Sequence, residues 1–232
     1  MSETSLRLPA DPKTQALWEA LVCDPSLRIV IFDREGRIIY CNDAVDRRYA
    51  PILGKDTIVG LSLPEITPPE YAAERMDIIR RVIETGRPMV VQGVLEGISN
   101  RIVYRRMPYG DNGQFGVIAI GRDLTELDNP QAAAAAKSQP MEVRDAQVRD
   151  LGPLSECTPR ELMVLALIGE GLPTTEIAAR LHRSEKTVEW HRTGLARKLG
   201  VRNRVELARL AIRANLTPES VKSRFGELLD VD

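Results

Sequence analysis

Residues 158–216 carry the punctuation of four short helices in an unbroken series, and this constrains the chain more than any other stretch. Thr158-Pro159-Arg160-Glu161 places a hydroxyl at the N-cap, proline at the first helical position and glutamate at the third, which is a capping box. Leu162, Leu165 and Ile168 then recur at helical spacing, and Gly169 and Gly171 close the helix. A second helix is expected from Thr174 to Leu181, with Ile177, Ala178 and Leu181 on its apolar side. Ser184 caps a third, which runs to Leu199 and is stopped by Gly200. Its inward stripe is Val188, Leu195 and Leu199, with His191 between them; Lys186, Glu189, Trp190, Thr193 and Arg197 face outward. Asn203 and Glu206 cap a fourth helix that reaches Asn215.

Two short helices and a tight connection leading to a longer helix with a basic, hydrogen-bonding outer face is a helix-turn-helix pattern. Charge agrees with it. From Cys157 to Leu216 there are eleven Lys/Arg and six acids, so this stretch carries +5 on a chain whose net charge is −1. A charge run alone is only a solvated surface. A local excess that coincides with ordered caps and an outward stripe is the footprint of a phosphate-binding head.

TPRELMVLALIGEGL, TEIAARL and SEKTVEWHRTGLARKLGVRNRVEL resemble the LuxR-type (GerE-like) DNA-binding domain across all four helices. The resemblance implies that the third helix enters the major groove, with Lys186 and Thr187 at its N-terminal end and Glu189, Trp190 and Thr193 at base-reading positions. Arg202 and Arg204 match phosphate-touching positions; Thr175, Arg192 and Arg197 complete the candidate DNA contacts. Members of the family often carry lysine where Glu189 and Thr175 stand, and serine where Pro173 stands. A glutamate in the groove only accepts hydrogen bonds and repels phosphate, so either an unusual target or weaker binding is expected. By the same resemblance the domain pairs through its fourth helix, at Val205, Ala208, Ala211 and Ile212, giving a homodimer on duplex DNA.

The chain's 232 residues suit two domains of ordinary size. The longest apolar run, Leu162 to Ile168, is too short to span a membrane, and MSETSLRLPADPK lacks a signal pattern, so a cytoplasmic location is expected. Three scattered cysteines, Cys23, Cys41 and Cys157, suggest neither a disulfide framework nor a zinc site.

Ahead of the helical region the pattern is α+β. A short helix over 14–24 precedes a hairpin, Arg28–Asp33 and Arg37–Cys41, turning at Gly36. Asn42 caps a helix to Tyr49, Leu61–Ile66 forms another, and Pro69–Thr85 is a full helix stopped by Gly86, with Met76, Ile79, Val82 and Ile83 at core spacing. Strands follow at Met89–Glu96, Arg101–Tyr109 and Gln114–Leu124, the last two joined by Asp111-Asn112-Gly113. FDREGRIIYCNDA and GRDLTEL in this order resemble a PAS domain over residues 25–127. That implies a five-stranded antiparallel sheet covered by the long helix, with a pocket between them for a small molecule.

The occupant of such a pocket is not legible. Both histidines, His182 and His191, lie in the helical region, so a His-ligated haem is disfavoured, and no photoactive-flavin cysteine motif is present. Cys41, Met76 and Met89 read as core fillers, Tyr49 and Tyr71 as core edges, and Arg101, Arg105 and Arg106 as an exposed strand face.

Residues 128–156 read as a helical linker in two pieces, Gln131–Lys137 and Met141–Leu151, broken at Pro140. Residues 217–232 form a last amphipathic helix with Val221, Phe225, Leu228 and Leu229 on one side. No catalytic residue and no metal ligand is assigned, since no nucleophile–histidine pair, ligand cluster or phosphate-cradling loop is present. The chain is therefore expected to be a transcriptional regulator rather than an enzyme. An acyl-lactone receptor and a PAS adaptor docking a kinase are the alternatives.

Overall fold

The computed structural model describes residues 11–109, 113–124 and 142–229. The Asp111-Asn112 turn and the alanine-rich helix over 131–137 lie outside them. The chain divides into two compact units, the first including residues up to Gly93 and Asn100–Asp123, the second including Asp150 onward.

In the first unit, helix α1 (Pro12–Val22) precedes β1 (Arg28–Phe32) and β2 (Ile38–Cys41); α2 (Asp43–Tyr49), α3 (Leu63–Ile66) and α4 (Pro69–Thr85) follow, then β3 (Met89–Leu95), β4 (Ile98–Tyr109), β5 (Gln114–Asp123) and β6 (Glu142–Asp145). The strand order is β2-β1-β5-β4-β3-β6. β1 lies one strand in from the β2 edge and is antiparallel to both neighbours, with Ile31 opposite Tyr40 and Ile118. Its residues Ile29, Ile31 and Phe32 are buried, so both faces of the strand are covered. α4 turns Tyr71, Ala72, Arg75, Ile78, Ile79 and Val82 inward, a helical repeat against the sheet, and Gly86 ends it in the left-handed conformation at φ +69°.

Asn42 occupies the N-cap of α2 as expected, but its side chain makes no cap bond. Its Oδ1 instead accepts from the Ile29 N–H at 3.1 Å, and its Nδ2 donates to the Leu27 carbonyl at 3.0 Å. This buried amide joins the start of β1 to the end of β2.

The sheet has six strands, not five. Where a helix was expected from Met141, Glu142–Asp145 is a strand parallel to β3, with Val143 opposite Val90. Four residues with a β-branched valine gain ladder bonds from the open edge of β3, which a short helix between two prolines cannot match. Ala146 packs in the core of the first unit and Leu151 in that of the second.

In the second unit a 3-10 turn (Gly152–Glu156) leads into α5 (Pro159–Gly169), α6 (Thr174–Arg180), α7 (Glu185–Leu199), α8 (Arg204–Arg213) and α9 (Pro218–Leu229). The capping box forms: the Thr158 hydroxyl accepts from Glu161 N–H, and Glu161 Oε2 accepts from Thr158 N–H at 2.8 Å. Every residue of α5 from Glu161 to Ile168 is buried, so the other helices surround it. Gly169 lets α8 approach closely; a Cβ there would lie 2.7 Å from Cβ of Ala211. Val221 and Phe225 of α9 pack on this same core.

Candidate nucleic-acid interface

α7 is held at both ends. Ser184 Oγ accepts from the Thr187 N–H at 3.1 Å, its hydroxyl lies 2.8 Å from that of Thr187, and Gly200 ends the helix at φ +65°. Buried Val188 and Leu195 fix its rotation about its own axis. Lys186, Trp190, Thr193 and Arg197 are thereby left exposed along one side, as the spacing predicts. Trp190 is 71% exposed, its ring edge-on to His191 at 5.1 Å.

Glu189 is half-buried and engaged. Its Oε1 accepts from the Thr174 hydroxyl at 2.9 Å, and its Oε2 lies 2.6 Å from Arg192 Nη2. The acid therefore ties the first turn of α6 to α7 and neutralises a cation of the same face. Thr193 bonds back to the Glu189 carbonyl at 2.9 Å. Thr175 stands exposed on the first turn of α6.

The two arginines at the start of α8 differ. Arg202 is exposed, and its backbone N–H is held by Glu206 Oε2 at 2.8 Å within the cap of α8. Arg204 turns inward, donating to the Gly171 carbonyl at 3.0 Å and to that of Leu172. Its guanidinium ties the start of α8 to the carbonyls of the loop between α5 and α6. Arg204 is therefore already bound to protein where the resemblance implied phosphate.

Beside the outward face is a cleft of about 320 Å³ lined by Arg160, Arg183, Thr187, His191 and apolar residues of α5 to α7. Burial first, and the nearby Arg160 and Arg183, hold His191 below its ordinary value; Glu161 opposes them. Below, Lys198 Nζ lies 2.6 Å from Glu161 Oε2 and joins α7 to α5. Burial alone would raise the Glu161 carboxyl, but Lys198 and Thr158 outweigh it and leave it below the usual carboxylate range.

Of the expected pairing residues, Val205 is 61% exposed and Ala208 and Ile212 are half-buried. Ala211 is not available: it is 1% exposed and seated on Gly169. In the first unit Cys41 is buried and its thiol is pushed up to about 12 by burial and then by Asp46, so it is not a thiolate. Arg106 lies over the Phe115 ring and donates to the Ile83 carbonyl at 3.1 Å. Arg75, not among the residues expected to matter, is 2% exposed inside the first unit. The signal was present: an arginine four residues after Tyr71 and before Ile79, on the side of α4 that faces the sheet.

Residues 155–211 match the luxR family of bacterial regulatory proteins, and residues 25–129 match the PAS fold. The chain carries a LuxR-type domain behind a PAS domain. The response regulator RamR of Streptomyces coelicolor is 48% identical over 60 residues, covering 26% of this chain and 30% of RamR. The virulence-factor transcription regulator BvgA of Bordetella pertussis is 29% identical over 172 residues, covering 71% of this chain and 80% of BvgA. The oxygen regulatory protein NreC of Staphylococcus aureus is 41% identical over 64 residues, covering 28% of this chain and 30% of NreC. The chain thus spans less than a third of RamR and NreC. Among solved structures, the Vibrio cholerae VqmA dimer is 22% identical, with 88% of this chain and 91% of that one covered at a TM-score of 0.41. The phage VqmA–DPO complex is 21% identical, with 90% and 94% covered at 0.46. No helix among the described residues is long and apolar enough to cross a membrane, and no cluster of metal-ligating side chains is found among them.

Proposed function

We propose that this chain is a transcription regulator that binds specific duplex DNA through the exposed side of α7, with its PAS unit as the sensing and pairing module. The observation that carries this is the exposed row of Lys186, Trp190, Thr193 and Arg197 on a helix locked by caps and buried Val188 and Leu195. A rigid helix with cations and hydroxyls at one end suits the major groove. Glu189 acts in this reading as a strut for Thr174 and as a brake on Arg192, so fewer cations face phosphate than the charge count suggests. One such helix contacts few base pairs, and the half-apolar outer side of α8 around Val205 supports a two-fold dimer on an inverted repeat.

The test is selection of bound duplexes from a random pool by the intact chain, followed by fluorescence anisotropy across a salt series. A recovered inverted repeat, bound with log affinity falling about 0.9 per phosphate contact against log salt, is the expected result. Recovery of no preferred sequence together with salt-independent binding overturns the proposal.

A further inference from the structure

Arg75 is among the largest fully buried side chains of the first unit, yet its Nε and Nη1 have no hydrogen-bond partner. Its Cζ lies 4.4 Å from the centre of the Tyr71 ring, and buried Tyr104 of β4 is also close by. Guanidinium is always charged in proteins, and a buried charge is retained where a counter-charge meets it. Ring faces supply part of that compensation. A water can accept a hydrogen bond here but brings no charge.

The adjacent acid, Glu74, favours the charged form of Arg75 through space but makes its hydrogen bonds elsewhere. Glu74 has its two oxygens on the backbone of the segment after β6, accepting from Gln147 N–H at 2.8 Å and Val148 N–H at 3.2 Å. The same segment lays Ala146 on the bare backbone of Gly93. A Cβ added to Gly93 would meet Ala146 Cβ at 2.7 Å and Arg75 Nη2 at 3.6 Å. Arg75 therefore lies directly under a strap fixed by Glu74 and by four residues of parallel strand whose side chains are all exposed. The Ala146 N–H on the Gln92 carbonyl at 2.6 Å and the Arg81–Glu142 ion pair at 3.2 Å complete its attachment, and an edge strand of four residues opens more readily than the sheet beneath it.

We propose that Arg75 is the recognition point for a small carboxylate with an apolar body, which enters beneath the Ala146 strap and places one carboxylate oxygen on the unpartnered Nη1 and the other on Nη2, the nitrogen nearest the strap. The aromatic ring of Tyr71 and the aliphatic side of α4 suit the apolar body, and the guanidinium is matched to a planar two-oxygen anion. This rests on the sensor reading of the PAS unit and not on DNA binding.

The experiment is thermal unfolding of the exhaustively dialysed intact chain in chloride, propanoate, benzoate or inorganic phosphate at equal ionic strength. Propanoate or benzoate is expected to raise the Tm of the wild type saturably. Arg75→Met is expected to lose that shift and to unfold in chloride no earlier than wild type, because an uncompensated buried cation is gone. Arg75→Lys is expected to keep a weaker, saturable shift. No saturable shift in the wild type, or an equal shift in Arg75→Met, overturns the proposal. A shift by phosphate alone overturns the carboxylate assignment, and a lower Tm for Arg75→Met in chloride without any probe effect makes Arg75 structural only. Since unfolding is read without DNA, failure of the DNA-binding reading leaves this test intact.

Discussion

Thr174 and Glu189 share a hydrogen bond of 2.9 Å that joins the two helices of the helix-turn-helix. The same carboxylate holds Arg192, so one acid both braces the motif and lowers its positive charge. Replacing it with a cation reverses both effects. Glu189→Lys is expected to steepen the salt dependence of duplex binding by about one to two contacts and to relax sequence preference. Loss of the strut lowers stability by about 1 kcal/mol. Anisotropy across a salt series checks the first effect. An unchanged site from the random pool would remove Glu189 from specificity.

Arg202 and Arg204 are expected to separate cleanly. Arg202→Ala, at an exposed position, flattens the salt slope by about one with little change in Tm. Arg204→Ala removes the donor on the Gly171 and Leu172 carbonyls and destabilises the second unit by about 1–2 kcal/mol, leaving the slope unchanged. Urea unfolding and salt titration of both variants decide it; the reverse assignment would show that Arg204 swings out to DNA.

Acid should weaken the second unit through Glu161. Its carboxyl lies below the ordinary 4.5 in the folded chain. The folded form therefore holds its proton less readily than the unfolded form. The stability it contributes is fully present above about 4.5 and is lost as pH falls through the lower folded value. Lys198→Met leaves a nearly buried carboxylate without its cation and costs about 2 kcal/mol at neutral pH, with the gap from wild type closing as Glu161 protonates. Melting curves at pH 7 and below pH 4 measure this; a gap that does not change with pH would exclude the mechanism.

Val205→Asp is expected to disrupt pairing without unfolding, since Val205 is 61% exposed. Sedimentation of the intact chain should show a smaller species with unchanged Tm. Ala211→Asp, by contrast, should unfold the second unit by driving a charge between α8 and Gly169. A dimer indifferent to Val205→Asp would place the interface elsewhere.

Helix limits were legible because their causes are local. The Thr158–Glu161 box, the Ser184 and Asn203 caps and the stops at Gly86 and Gly200 act within about four residues, and the chain places each where the residues predict. The outward row of α7 followed from period alone. What the tertiary structure decided depends on groups distant along the chain. Glu189 meets Thr174 across 15 residues, and Arg204 reaches carbonyls 32 and 33 residues away. The segment at Glu142 became a strand because β3 offered an unpaired edge. Arg75 reads in sequence as one more charge on an amphipathic helix. Only the packing of α4 on the sheet, with Glu74 turned to the strap, leaves that charge buried with two unpartnered nitrogens.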